Sequence, residues 1–129
     1  MKKKAINPWT WQEERGYVQA IEVKQADGIL YCSGQAAVDA TGQSSTQDMK
    51  SQLLKAIDNL ELVIQEAGYE CKNIVRLNVF TTDAEEFFTC FDLFKNWITR
   101  HGIRQASTLL EVKSLFETLK IELEATVVK

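Results

Sequence analysis

The C-terminal stretch of the chain alternates apolar and polar residues along its whole length. Over residues 119–128, one set of positions is apolar: Leu119, Ile121, Leu123, Ala125 and Val127. The intervening positions are polar: Lys120, Glu122, Glu124 and Thr126. Successive side chains of a β-strand point to opposite faces, so this segment predicts a strand with one buried face. Shorter apolar or alternating segments predict further strands over residues 17–23, 29–32, 74–81 and 108–112.

Two other segments repeat their apolar residues every three or four positions, which is typical of amphipathic helices. The first covers residues 46–67 and is followed by Gly68, where a left-handed cap belongs. The second begins at Asp83, which forms an N-capping pair with Glu86, and is closed by Gly102. The apolar stripe of this second helix consists of Phe87, Phe91, Phe94 and Ile98.

The predicted element order is β-β-α-β-α-β-β, and Asp27-Gly28 is a hairpin turn signal between the first two strands. This order predicts an α+β fold with one mixed sheet and both helices packed on one face. The other face carries Glu122, which is too polar for a closed core. Because Tyr31 and Val128 must also lie outside the helix-covered core, that face is expected to form an oligomer interface.

The length and composition of the chain agree with this predicted fold. A chain of 129 residues fits a single domain, 1–129, and an apolar fraction of 45% with 26% charged residues is ordinary for a soluble protein. The formal net charge is −3, so nucleic acid is not an expected partner. The basic cluster Lys2-Lys3-Lys4 is interpreted as a solvated tail. No apolar run approaches the roughly 20 residues of a membrane span, and no secretory signal is visible.

Cysteine and histidine are sparse. Cys32, Cys71 and Cys90 are odd in number and form no C-x-x-C pair, which argues against a disulfide framework. His101 is the only histidine, so no zinc-type ligand cluster is visible and neither a metal nor another cofactor is expected. A reduced cytoplasmic setting is predicted.

Five motifs follow one another along nearly the whole chain. They are Gly16-Tyr17-Val18-Gln19-Ala20, Ser33-Gly34-Gln35, Ala67-Gly68, Asn73-Ile74-Val75-Arg76-Leu77-Asn78-Val79-Phe80-Thr81-Thr82-Asp83 and Leu119-Lys120-Ile121-Glu122-Leu123-Glu124-Ala125. Together and in this order, they resemble the RidA/YjgF family, whose older label is endoribonuclease L-PSP. The resemblance implies a chorismate-mutase-like fold and a homotrimer with small-molecule clefts between neighbouring subunits.

The resemblance also implies a chemistry. Active members hydrolyse reactive enamines and imines derived from amino acids, such as 2-aminoacrylate, to 2-keto acids and ammonia. By the same resemblance, Glu122 is the candidate that orients the attacking water, and Tyr17 and Ser33 line the cleft. Taken without the resemblance, Glu122 is better interpreted as a solvated or interface glutamate on an alternating strand, because charged residues usually face water.

Three positions depart from the family pattern. Active members carry Pro-Ala-Arg-Ser before the fourth of these predicted strands, and that arginine grips the substrate carboxylate. Here the aligned segment is Gln105-Ala106-Ser107-Thr108, so Ser107 replaces the arginine. Phe91 stands where active members often have asparagine, and Leu109 stands at a frequent cysteine. These changes make the pocket more apolar, although Phe91 also fits plain core packing.

The sequence therefore leaves several functions open. The first is a trimer with a small-molecule cleft and weak or no deaminase activity toward 2-imino acids. The second is an active enamine/imine deaminase in which Arg104, three residues before Ser107, supplies the lost charge. A ribonuclease is disfavoured because the net charge is negative and no basic stripe with interleaved aromatic residues is present. The ligand expected for the cleft is a small molecule such as a keto or imino acid.

Overall fold

A computed structural model describes residues 1–129. It contains six strands: β1 (Lys2–Ile6), β2 (Ala20–Lys24), β3 (Ile29–Ala36), β4 (Ile74–Thr81), β5 (Ala106–Glu111) and β6 (Ile121–Val128). Three α-helices connect them: α1 (Met49–Glu66), α2 (Ala84–Thr89) and α3 (Phe91–His101). Two short 3-10 turns lie at Glu13–Arg15 and Cys71–Asn73.

The main sheet has four strands in the order β3-β6-β4-β5. The β4–β5 pair is parallel and the other two pairs are antiparallel, so the sheet is mixed. One continuous core contains buried residues of α1, α2, α3 and the sheet, which means that the helices all pack on the same sheet face. The predicted α+β class with helices on one side is therefore confirmed.

Strand β6 shows how the sequence produces this one-sided sheet. Its apolar positions Ile121, Leu123, Ala125 and Val127 are all buried against the helices. The alternate positions face the other way, and there Asn78 Nδ2 of β4 donates to Glu124 Oε1 at 3.0 Å. Tyr31 lies on the same uncovered side and is 77% exposed. The free chain thus keeps a broad sheet face open, in part polar and in part aromatic.

Helix α1 forms where its apolar repeat predicted it, but it begins at Met49 and not at residue 46. Asp48 is the N-cap, and its side chain accepts a hydrogen bond from the backbone amide of Ser51 at 2.9 Å. That capping carboxylate takes up an amide that has no partner within the helix, so helical structure begins at Met49. Gly68 follows the helix with φ +77°, as its predicted capping role requires.

The second predicted helix is divided in two at Cys90. Asp83 accepts from the amide of Glu86 at 3.0 Å and starts α2 as predicted. Cys90, with φ −118° and ψ 21°, lies outside the helical region, so the chain restarts as α3 and runs until Gly102 at φ +65°. The apolar stripe nevertheless stays continuous, because the Phe87 ring of α2 meets the rings of Phe91 and Phe94 of α3 edge-on. Burying an aromatic side chain of this size contributes about 1.5–3 kcal/mol.

The expectation of a single sheet needs correction at the N-terminus. Strand β2 pairs with β1 in a separate two-stranded ribbon, and not with β3 across the Asp27-Gly28 turn. The backbone amides of Asp27 and Gly28 instead donate to the carbonyl of Lys129, at 2.6 and 2.9 Å. The local turn signal was outweighed because β6 offers β3 a long antiparallel partner, while β1 satisfies the backbone of β2.

Lys2-Lys3-Lys4 is likewise not a free tail, because these residues form part of β1. The Lys3 amine donates to Asn73 Oδ1 at 2.8 Å and to the Lys72 carbonyl at 3.2 Å. Partial burial, together with the nearby charge of Lys72, lowers the pKa of Lys3. These contacts tie the ribbon to the start of β4.

Candidate functional site

A cavity of about 590 Å³ lies on the helix-covered side of the sheet, between the outer strand β5 and helices α2 and α3. Its apolar lining consists of Val79, Phe88, Phe91, Phe94 and Leu109. Its polar lining consists of Arg15, Tyr17, Gln19, Gln105 and Ser107. The cavity is large enough for a small molecule, and its mixed lining is typical of ligand sites.

The segment beside β5 is held by the backbone and by one buried amide. The amide of Val18 donates to the Gln105 carbonyl at 3.0 Å, and Gln105 Nε2 donates to the Gly16 carbonyl at 2.8 Å. Gly16 has φ +76° where the chain leaves the 3-10 turn, a conformation that favours glycine. These contacts position Tyr17 at the cavity.

Ser107 lies on the floor of the cavity. It pairs with Leu77 in the parallel β4–β5 ladder, and its hydroxyl donates to the Leu77 carbonyl at 2.6 Å. Leu109 is two residues further along β5 and faces the same side. The hydroxyl proton of Ser107 is therefore committed to the sheet backbone.

Glu122 and Ser33 lie on the open side of the sheet, away from the cavity. Glu122 is half-buried, and its carboxylate lies directly over Gly34, so that an added Cβ at Gly34 would collide with it. Ser33 is exposed beside this glycine, within the irregular stretch where the β3–β6 register shifts. The glycine of the Ser-Gly-Gln motif thus makes room for the Glu122 side chain.

Arg104 lines a separate groove and is exposed. This groove borders the end of α3 and also touches Tyr17, but Arg104 itself does not line the cavity. Of the seven predicted site residues, four therefore meet at the cavity: Tyr17, Phe91, Ser107 and Leu109. Two meet on the open sheet face, and Arg104 joins neither group.

Sequence reasoning missed the charged residue of the cavity. Arg15 lines it directly, and its guanidinium carbon lies 4.8 Å from the centre of the Trp11 ring. A signal was present, because Arg15 immediately precedes the Gly16-Tyr17 motif. Its position depends on the 3-10 turn and on the pairing of Val18 with β5, neither of which was predicted.

The thiols offer no nucleophile at this site. Burial raises the pKa of Cys32, and burial together with the charge of Glu61 raises the pKa of Cys71 to about 11. Burial also raises the pKa of Cys90. All three are free thiols, which stay protonated near neutral pH.

No three or more His, Cys, Asp and Glu side chains lie together in a way that would hold a metal ion. None of the helices has both the length and the apolar character needed to span a lipid bilayer.

The helix-backed mixed sheet, with an open second face and a cavity along its parallel edge strand, places the chain among the small α+β proteins. The sequence profile described as Endoribonuclease L-PSP matches residues 10–129. The chain therefore belongs to this family, the RidA/YjgF family, as its motifs predicted.

Individual relatives agree with this assignment. The chain is 28% identical over 114 residues to a 2-iminobutanoate/2-iminopropanoate deaminase of Salmonella typhimurium, covering 88% of this chain and 87% of the relative. It is 26% identical over 113 residues to a RutC family protein of Aquifex aeolicus, covering 88% of each.

Solved structures show the same fold. A Rid family protein of unknown function from Yersinia pestis, YyfB, superposes with a TM-score of 0.87 at 25% identity, covering 100% of both chains. The YjgF gene product of Escherichia coli superposes with a TM-score of 0.71 at 30% identity, covering 88% of this chain and 87% of that one. The predicted RidA/YjgF fold is thus confirmed.

Proposed function

We propose that this protein is a homotrimer with small-molecule clefts between its subunits and weak or no deaminase activity toward 2-imino acids. The observation that carries the proposal is Ser107. It stands where active relatives have their carboxylate-binding arginine, and its hydroxyl is already bonded to the Leu77 carbonyl at 2.6 Å. The cavity keeps the shape of a ligand site without that charge.

The separation of the candidate residues within one chain supports an assembled cleft. Tyr17 and Ser107 line the cavity on the helix side, whereas Ser33 and Glu122 lie on the open face. Two groups on opposite faces of one sheet cannot act on one small molecule, but two neighbouring copies can bring them together.

The open face also has the character of an interface. Its large apolar side chains include Ile29, Tyr31 and Leu110, which are 54%, 77% and 49% exposed. Exposed apolar groups distributed among polar ones across one sheet face are typical of a surface that a second protein covers. A trimer would bury them and complete each cleft.

The loss of the arginine accounts for weak or absent turnover. Each charge-assisted hydrogen bond to a carboxylate is worth about 1.5–3 kcal/mol, and a bidentate guanidinium also fixes the orientation of its partner. Ser107 supplies neither the charge nor the fork. In this proposal Glu122 orients the water, Tyr17 and Ser33 line the cleft, and Phe91 and Leu109 make it apolar.

The alternative is an active enamine/imine deaminase in which Arg104 replaces the missing arginine. One observation favours it: the groove that Arg104 lines shares Tyr17 with the cavity, so a modest loop shift would join them. An endoribonuclease is less well supported, because the net charge of −3 provides no electrostatic footprint for RNA. Three free thiols suit the cytoplasmic location that we also propose.

A turnover assay on freshly generated 2-aminoacrylate, which tautomerises to 2-iminopropanoate, separates the two readings. The wild-type protein, Glu122→Gln and Arg104→Gln are compared by the rate of pyruvate formation above the buffer rate. We expect a wild-type rate close to that of buffer. Rapid turnover that is lost in both variants would establish the alternative and end this proposal.

A further inference from the structure

The cavity contains a cation that the family pattern does not predict. We propose that it binds monocarboxylates with a bulky apolar body, with Arg15 holding the carboxylate and the aromatic wall holding the body. This inference rests on the proposed function, since it names the ligand class of the same cleft.

Arg15 lies at the cavity without an acidic partner. The chain has four ion pairs, formed by Lys24, Lys72, His101 and Lys120 with neighbouring glutamates, and Arg15 is in none of them. No Asp or Glu lines the cavity. The guanidinium is thus free to pair with a ligand anion.

Aromatic contacts hold this guanidinium at the mouth. Its central carbon lies over the Trp11 ring at 4.8 Å. Trp11 in turn stacks on Trp9 at 5.8 Å between ring centres and meets Tyr17 edge-on at 6.4 Å. A guanidinium that lies on an aromatic face keeps its in-plane N–H groups available, and these are the groups that bind a carboxylate.

A second positive charge lies beside the aromatic wall. The Lys95 amine is 5.8 Å from the centre of the Phe91 ring, on the α3 side of the cavity. The aliphatic part of Lys95 approaches Gly16, next to Arg15 in the chain. Lys95 is not part of the lining, but Arg15 is, and no carboxylate lies there, so the local charge favours an anionic ligand over a cationic one.

Two amides of the lining have buried polar atoms that lack hydrogen-bond partners. Gln105 is 1% exposed, and because its Nε2 is bonded to the Gly16 carbonyl, the orientation of its amide is set and its Oε1 is left unpaired. Gln19 Nε2 is likewise buried and unpaired. Both atoms are closed off from solvent, so a ligand in the cavity would contact them only after a shift of these side chains.

The apolar wall determines the rest of the ligand. Phe91 and Phe94 stack with ring centres 6.0 Å apart, and Phe88, 55% exposed, adds a third ring at the opening. Val79 and Leu109 complete this wall from the sheet side. A ligand with a large apolar body would bury more of this wall than a ligand as small as pyruvate.

The test compares three probes of graded chemistry: 3-phenylpropanoate, its uncharged analogue 3-phenylpropanamide, and propanoate, which lacks the ring. Isothermal titration calorimetry measures the Kd of each for wild type, Arg15→Gln and the control Arg100→Gln. Arg100 is an exposed arginine on α3 that lines a different groove. Arg15→Lys is the second variant, which keeps the charge but not the fork.

We expect 3-phenylpropanoate to bind wild type at least tenfold more tightly than either other probe. We expect Arg15→Gln to weaken that binding at least tenfold, Arg15→Lys to weaken it less, and Arg100→Gln to leave it unchanged. Equal binding of acid and amide, no binding of the acid, or an unaltered Kd in Arg15→Gln would overturn the inference. The inference would also be overturned if Arg104→Gln weakened the binding of 3-phenylpropanoate and Arg15→Gln did not.

Failure of the proposed function would look different. Sedimentation equilibrium in the same buffer reports the assembly state, and pyruvate formation reports turnover. A monomeric protein, or rapid pyruvate formation, would refute the proposed function. The dependence of probe binding on the charge and the ring of the probe would remain as evidence for the Arg15 inference. A trimer with slow imine turnover that binds the acid and the amide equally well would refute the Arg15 inference alone.

Discussion

Restoring the arginine at position 107 is the sharpest perturbation of this site. In Ser107→Arg, the serine loses its hydrogen bond to the Leu77 carbonyl, a neutral contact of 2.6 Å that is worth about 1 kcal/mol. The new side chain would extend from β5 into a cavity of about 590 Å³, which has room for a guanidinium. Phe91 and Leu109 at its border stay unchanged.

The magnitude follows from the new ion pair. A bidentate guanidinium–carboxylate pair contributes about 3 kcal/mol at the low end of two charge-assisted bonds. The serine hydrogen bond is absent from the variant both with and without substrate, so its loss lowers the folding stability and does not reduce the gain in substrate binding. We therefore expect kcat/KM for 2-iminopropanoate to rise by about two orders of magnitude in Ser107→Arg.

The assay is pyruvate formation from freshly generated 2-aminoacrylate, with Ser107→Gln as the matched control. Glutamine has a long polar side chain without a charge, so it should leave turnover at the wild-type level. A folded Ser107→Arg protein that hydrolyses the imine no faster than wild type would contradict this expectation, and so would an equal acceleration by Ser107→Gln.

Three further predictions concern stability and the open-face site. Gln52 is fully buried and joins α1 to the segment just before β6. It accepts from the Lys120 amide at 2.8 Å, and its two N–H groups donate to the carbonyls of Gln47 and Thr118 at 3.0 and 3.2 Å. Gln52→Leu should therefore lower the free energy of unfolding in urea by about 3 kcal/mol, whereas Gln65→Leu on the exposed side of α1 should change it little. Folding raises the pKa of Cys71 from 9.0 to about 11, so the unfolded chain loses the Cys71 proton first as pH rises. The urea concentration at the unfolding midpoint should therefore fall between pH 9 and pH 11 by more in wild type than in Cys71→Ala. Equal falls in the two proteins would contradict this assignment. In Gly34→Ala the new methyl would displace the Glu122 carboxylate, so any turnover by Ser107→Arg should drop at least tenfold when Gly34→Ala is added, with little change in the thermal midpoint.

Local patterns predicted most of the main sheet and both helical regions. The alternation of β6 and the capping residues Asp83, Gly68 and Gly102 act through contacts within a few residues, so the sequence displays them directly. The division of the second helix was not visible, because Cys90 is not a helix breaker and its backbone departs from helical geometry only in the packed fold.

The N-terminal part shows why the remainder could not be predicted. The pairing of β2 with β1, and of Val18 with β5, depends on which distant segment offers backbone partners, and a turn signal at Asp27-Gly28 does not report that. Arg15 was missed for this same reason. The separation of Ser107 from Glu122 also depends on sheet faces and strand order, which the motifs alone do not specify.

We propose that Ser33 of one copy and Ser107 of another border one cleft. Crosslinking Ser33→Cys/Ser107→Cys with a short dimaleimide tests it directly, because these positions lie on opposite faces of the sheet within one chain. The single variants are the controls, since Cys32 and Cys71 are buried and Cys90 is partly so. We expect covalent species of two and three chains, each of 14.7 kDa, on a denaturing gel for the double variant only. Exclusively monomeric bands from a fully labelled sample would contradict it.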